Sequence, residues 1–208
     1  MCNTRFPWAV RVAYFCWGSE GLSVNTATHV FMAFDYDYKG NYALLDRLSV
    51  AFFASRVVPP AIREQALQWA KQCCSTDRVV MSGFHSPLEK EVFQLLLDAR
   101  HPVIWGLGRT LYRRYPPEIE AALSEARILI FAVRNAQRTG WHTALVRNYV
   151  IASMSDESVY AINEEGRSSS LDVLYGLETG TKANVMGAVY AAQGAMNLTR
   201  TVVQVVSK

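Results

Sequence analysis

The sequence has few of the residues that usually announce a chemistry. Its 208 residues include four cysteines and four histidines. Cys2, Cys16, Cys73 and Cys74 make no metal-ligand spacing, and the adjacent pair Cys73 and Cys74 reads as small core or surface residues. His29, His101 and His142 have no histidine or cysteine four residues away, so no zinc pattern is present. No serine or cysteine stands in a nucleophile elbow, and no full glycine fingerprint for a dinucleotide occurs. No catalytic residue, metal or cofactor is therefore assigned, and a binding protein is expected rather than an enzyme.

Long hydrophobic runs are missing too. None reaches the roughly 18 residues that a bilayer-spanning helix needs. Residues 8–17 are apolar but interrupted by Arg11, and no small-residue cleavage site follows, so they do not read as a signal peptide. A cytoplasmic setting with reduced cysteines and no membrane partner is expected. No repeat, low-complexity tract or linker is visible.

Lysine is scarce: the 21 basic residues are 16 arginines and 5 lysines, for a net charge of +3. Residues 100–147 hold eight arginines and no lysine, against Glu118, Glu120 and Glu125. Arginine is favoured where planar, bidentate phosphate contacts are made. That makes Arg109, Arg113, Arg114, Arg134 and Arg138 candidates for nucleic-acid contact. A solvated face with scattered ion pairs is the other reading.

What is present is a regular alternation. With 50% hydrophobic and 19% charged residues, the chain has enough apolar side chain for a sizeable core. Strands are predicted at 48–54, 79–81, 102–106, 127–133 and 158–162, with a further one at 182–187. Helices are predicted at 60–72, 87–100, 117–126, 143–154 and 168–178. Strands alternating with helices at this spacing indicate an α/β fold of Rossmann-like type: a mostly parallel sheet with helices on both faces. Residues 48–208 are assigned to this domain, and residues 1–47 to an aromatic-rich amino-terminal extension packed on its core. Within that extension, 10–17 reads as a strand and 35–41 as a turn. Its aromatics suit either a base-stacking surface or an added strand or hairpin on the sheet, the second being favoured. At the other end, 201–206 reads as an edge strand or as a contact in a homo-oligomer.

Ligands of such sheets bind beyond the carboxyl ends of the strands. The most informative end is at 78–93. A short apolar run is broken by Ser82-Gly83, and Pro87 then suits a first helical turn. A turn of this kind is expected to bring free backbone N–H groups and a helix dipole to one point, which suits a phosphate. Ser82, Gly83, Phe84, His85, Ser86 and Glu89 are candidate ligands there. Gly83 is expected to let a ligand approach the backbone, although an ordinary βα turn that binds nothing reads equally well. His85 with Glu89 could form a general base, though hydrogen bonding at a helix start explains them better. Arg147, beside Asn148, is expected to serve as a phosphate fork pointing toward the Ser82-Gly83 turn; a surface arginine is the alternative.

Several short motifs fall at these ends in order. Ala54-Ser55-Arg56 closes the first strand. Ser82-Gly83-Phe84 precedes Leu88-Glu89. Gly106 precedes Tyr115-Pro116-Pro117-Glu118. Arg147-Asn148 precedes Ile151-Ala152 and Ser155, and Gly166 precedes Ser169-Ser170-Leu171. Together, over residues 48–187, they resemble the DNA-processing protein A family, also called Smf. That family belongs to a Rossmann-like superfamily with the LOG-type nucleotide enzymes. The resemblance implies single-stranded DNA binding and delivery to a recombinase. It adds Ser55, Arg56, Gly106, Gly166, Ser168, Ser169 and Ser170 to the ligand-binding candidates. The superfamily implies an alternative, a nucleotide-binding sensor or a LOG-like phosphoribohydrolase using the same pocket. The chain departs from the family pattern at Ala54, His85-Ser86, Pro87 and Glu89, where the family has a first glycine, an Ala-Arg type pair, a second glycine and Asp. The run 163–172 lacks the double glycine of the hydrolases.

Overall fold

Unbroken apolar runs in the central strands decide the architecture. A strand buried on both faces needs a cover on both faces, and helices supply it through crossover connections. The computed structural model describes residues 36–134 and 136–162, Leu171, Leu174 and the backbone of one further strand, Thr201–Val205. In chain order the elements are β1 (Tyr36–Gly40), a short 3-10 turn (Tyr42–Asp46), β2 (Ser49–Ala54), α1 (Pro60–Cys73), β3 (Val79–Ser82), α2 (Pro87–Asp98) and β4 (Val103–Leu107). Then follow α3 (Pro117–Ser124), β5 (Ile128–Val133), α4 (Trp141–Met154), β6 (Glu157–Ala161) and β7 (Thr201–Val205).

The described strands form one seven-stranded sheet in the order β1-β5-β4-β3-β2-β6-β7. Every pairing is parallel except β1 with β5. Successive residues of the strands from β2 to β6 feed opposite cores, as the two-residue period requires. Val50, Phe52 and Ala54 of β2 pack with Ile62 and Ala66 of α1, Leu88 and Val92 of α2 and Ile119 of α3. Ala51 and Phe53 face the other way, with Ile151 and Ala152 of α4. Phe52 stacks on Trp69 at 5.0 Å, and Phe53 on Tyr160 at 5.2 Å. The predicted doubly covered parallel sheet is the observed one. The chain winds outward from β2 to β5 and returns through α4 to β6, on the far side of β2. The strand order therefore reverses at β2.

One local expectation is corrected. Residues 35–41 do not make a turn: Tyr36–Gly40 is an antiparallel edge strand on β5. Its turn-forming letters alternate with tyrosines, and alternation is what a half-buried strand needs. Tyr36 and Tyr38 lie over Phe131, at 5.8 and 6.4 Å between ring centroids. Burial raises the Tyr38 hydroxyl to about 12. These rings belong to the packed strand and not to an open stacking surface. Gly40 ends β1 at a φ of +110°, where a Cβ would collide with the Ile128 carbonyl. The last strand, β7, is an edge strand parallel to β6. The strands predicted at 10–17 and 182–187 lie outside the described residues. So does the helix at 168–178, apart from helical, buried Leu171 and Leu174.

Candidate functional site

Parallel strands put all their carboxyl ends at one edge. Ser55 follows β2, Ser82 closes β3, Gly106 is the penultimate residue of β4 and Arg134 follows β5, so these predicted positions share that edge. Gly166, Ser168, Ser169 and Ser170 lie outside the described residues.

The turn after β3 is built around an internal carboxylate. Ser86 caps α2: its hydroxyl accepts the Glu89 N–H at 3.2 Å, and Glu89 reaches back to accept the Ser86 N–H at 3.1 Å. This is a capping box, and its Ser-x-x-Glu spacing is legible in the sequence. Glu89 does more than cap. Its carboxylate also accepts the N–H of His85 at 2.7 Å and, across the sheet edge, of Ala54 at 3.0 Å. The Phe84 N–H donates to the Ser82 hydroxyl at 3.2 Å. The cradle of free amides expected at this turn is thus already filled by the chain's own anion, which sits where the α2 dipole favours negative charge.

Gly83 and Phe84 also differ from expectation. The left-handed residue of the turn is Phe84, at a φ of 45°, and not Gly83. The Phe84 ring is buried and stacks on Phe93 at 4.2 Å, so it supports the turn from the core side. A Cβ on Gly83 would collide with the guanidinium carbon of Arg147 and stand 2.6 Å from its Nε. The glycine makes room for an arginine.

Arg147 comes from the middle of α4 on the opposite face of the sheet. It is 5% exposed. Its Nε and Nη2 both donate to the side-chain oxygen of Asn148, at 3.0 and 2.7 Å. Among the described residues no carboxylate hydrogen-bonds it. Burial lowers its pKa, opposed by the charge of Glu89. A guanidinium nevertheless stays protonated in proteins. A buried cation held by one neutral amide is costly, and an incoming anion relieves that cost. Asn148, itself buried, fixes the plane of the fork.

Several of the groups around Arg147 are basic. Exposed His85 is held below its ordinary pKa by burial and then by Arg147, with Lys90 and Arg56 adding to the effect and Glu89 opposing it. Its ring is neutral at neutral pH. Glu89 bonds the His85 backbone and not its imidazole, so the His–Glu general-base pair is not formed. Arg113, Arg114 and Arg138 are exposed and make no ion pair among the described residues. Arg109 lies over the Tyr112 ring at 4.7 Å. Arg134 is tied to Asp37 of β1 at 2.8 Å, which offsets its charge. Gly106 serves packing: a Cβ there would stand 2.6 Å from Phe131 and 2.9 Å from Ile151. The clearest concavities lie elsewhere. One is lined by Lys71, Cys74 and Asp98 at the ends of α1 and α2, and the other by Arg47 and Arg78 just before β2 and β3. Both belong to the opposite edge of the sheet.

The chain shares its fold with DNA processing protein A. The crystal structure of that protein from Streptococcus pneumoniae superposes with a TM-score of 0.56 at 18% identity, over 81% of this chain. This chain spans 62% of the length of that protein. The Helicobacter pylori protein of the same name, solved in a study of its single-stranded DNA binding, matches at 20% identity and a TM-score of 0.48, over 60% of this chain and 59% of the other. A family model described as conjugal transfer protein TrbL matches residues 164–207, a minority of the chain. No curated protein matches. Among the described residues no helix is long and apolar enough to cross a membrane, and no group of three His, Cys, Asp or Glu is placed to hold a metal ion.

Proposed function

We propose that this chain binds single-stranded DNA along the carboxyl edge of its sheet, with Arg147 receiving one backbone phosphate. The buried Arg147 guanidinium on Gly83, bonded among the described residues only to Asn148, carries this reading. Arg56 and Lys90 add positive charge at His85, which itself lies near Arg147. Arg109, Arg113, Arg114 and Arg138 extend the positive surface for neighbouring phosphates. Arg134 contributes less, because Asp37 holds it. The fold shared with DNA processing protein A supports a DNA ligand over other polyanions.

The interaction divides into two kinds. Exposed arginines attract a strand at long range and exchange condensed counterions for protein contacts, which is salt-dependent and blind to sequence. Arg147 is different, because its desolvation already forms part of the fold. A phosphate there exchanges water for a preorganised fork. Glu89 bonds three amides and the His85 imidazole has no carboxylate partner, so the described part of the pocket holds no activated base. That favours binding over the hydrolase alternative.

The test is titration of a labelled oligothymidylate against wild type, Arg147→Lys and Arg147→Ala at several salt concentrations. Binding should weaken at least about tenfold in Arg147→Ala. Arg147→Lys should be intermediate, since a lysine keeps the charge and loses the fork. Suppose the wild type shows no salt-dependent oligonucleotide binding but takes up a mononucleotide that Arg147→Ala rejects. Then the nucleotide-sensor reading replaces this one.

A further inference from the structure

A cluster of aromatic residues runs from the edge of the core out to the surface beside Gly83. Trp105 is on β4 and half-buried, and its indole N–H donates to the Gly83 carbonyl at 3.2 Å. The ring is thereby tied to the backbone on which Arg147 rests. From it the cluster runs outward: Phe93 lies at 5.2 Å, Tyr115 at 6.2 Å and Tyr112 at 6.2 Å with only 34° between the Trp105 and Tyr112 planes. Tyr115 meets Tyr112 edge-on at 5.8 Å and 88°, which fixes the orientation of the outer ring. Tyr112 itself is 38% exposed. An exposed tyrosine held by two other aromatics and by the Arg109 guanidinium is a rigid π surface, and little ordering cost remains for a ligand that stacks on it. Its loop, residues 108–116, contains Arg109, Arg113 and Arg114 and no acidic residue.

We propose that Tyr112 and the Arg109 guanidinium layered on it, with Trp105 behind, form a stacking subsite for an unpaired nucleobase. This rests on the reading that Arg147 takes a phosphate of the same strand. The Trp105–Gly83 hydrogen bond places the two subsites side by side, one for the backbone and one for a base. Rings and planar guanidinium groups stack on any base, so the subsite selects single strands over duplexes without selecting sequence.

The experiment compares an oligothymidylate with an abasic oligomer that has the same number of phosphates. Wild type should bind the first about tenfold more tightly. Tyr112→Ala should erase that preference and keep the salt dependence, whereas Tyr112→Phe should keep both. Exposure of the side chain makes the alanine variant a mild change to the fold. Equal, salt-dependent binding of both oligomers by wild type would overturn the stacking subsite and leave the phosphate reading intact. A base preference that survives in Tyr112→Ala would also overturn it. Failure of wild type to bind either oligomer would overturn both.

Discussion

The guanidinium of Arg147 lies directly on the backbone of Gly83, in the space a side chain at position 83 would occupy. The glycine belongs to the turn after β3 and the arginine to α4, so the contact ties together the two faces of the sheet. It gives position 83 a requirement that has nothing to do with backbone conformation, because Gly83 does not adopt a left-handed φ. Gly83→Ala should therefore fold, push the guanidinium off its seat and weaken oligonucleotide binding to nearly the level of Arg147→Ala. The double variant should be no worse than either alone, since both remove one interaction. Additive losses in such a cycle would separate the two residues.

Glu89 joins the end of β2, the turn after β3 and the start of α2 through three backbone N–H groups. It also supplies the charge that opposes desolvation of Arg147. Glu89→Gln keeps the shape and removes the charge. It should destabilise the fold by about 1–3 kcal/mol, the usual range for a buried hydrogen-bonded charge losing its match. It should also strengthen phosphate binding, because an external anion then does what the carboxylate did. Urea melts with and without inorganic phosphate check both halves: phosphate should stabilise the variant more than the wild type.

The sheet was legible because its strands are apolar on both faces, and each predicted strand from β2 to β6 ends within two residues of the observed one. The site was legible only in part. Ser86 and Glu89 are three residues apart, and a local pattern can reveal a cap. Arg147 and Gly83 are far apart in the chain, and helical spacing could not tell a buried fork from a surface arginine. The same holds for Asp37 and Arg134, separated by 97 residues. That pair holds Arg134 at β1 and limits what it can offer a ligand. The tyrosines of β1 were obscured by interleaved Asp, Lys and Gly, which locally favour a turn. Trp105 and Tyr112 are unremarkable alone and Tyr115 reads only as part of a strand-end motif, and only the fold brings their rings together.

Two histidines should shape the pH response in different ways. The pKa of His85 lies below its ordinary 6.5, through burial and then Arg147. A bound phosphate offsets the arginine and raises that value, so binding takes up a proton. Affinity should rise as the pH falls through the higher pKa of the bound state and level off below the depressed pKa of the free protein. His85→Gln should flatten that profile. The pKa of buried His101 is also lowered, by desolvation first. The unfolded chain then binds the proton more readily, so stability should fall as the pH drops from about 6.5 through the folded value. Melts between neutral and mildly acidic pH should show this loss, and it should diminish in His101→Gln.

The arginines of the carboxyl edge differ in how free they are, and the salt dependence of binding should rank them. Arg113 and Arg114 are exposed on the loop before α3 and pair with no carboxylate among the described residues. If each meets a phosphate, replacing both by alanine should reduce the slope of log affinity against log salt by about 0.7 for each phosphate left unmet. Arg134 starts from a different state, because Asp37 holds it at 2.8 Å. Arg134→Ala should change the slope little. Asp37→Ala should steepen it by at most the same step, since it removes only one of the contacts that hold Arg134. The change should cost less than about 1 kcal/mol in stability, as befits an exposed ion pair. Slopes measured for the three variants against one oligothymidylate decide the matter. A slope that shrinks equally for Arg134→Ala and for the Arg113 and Arg114 pair would mean that Asp37 yields to the strand. A slope unchanged in all three would move the DNA path away from this edge of the sheet.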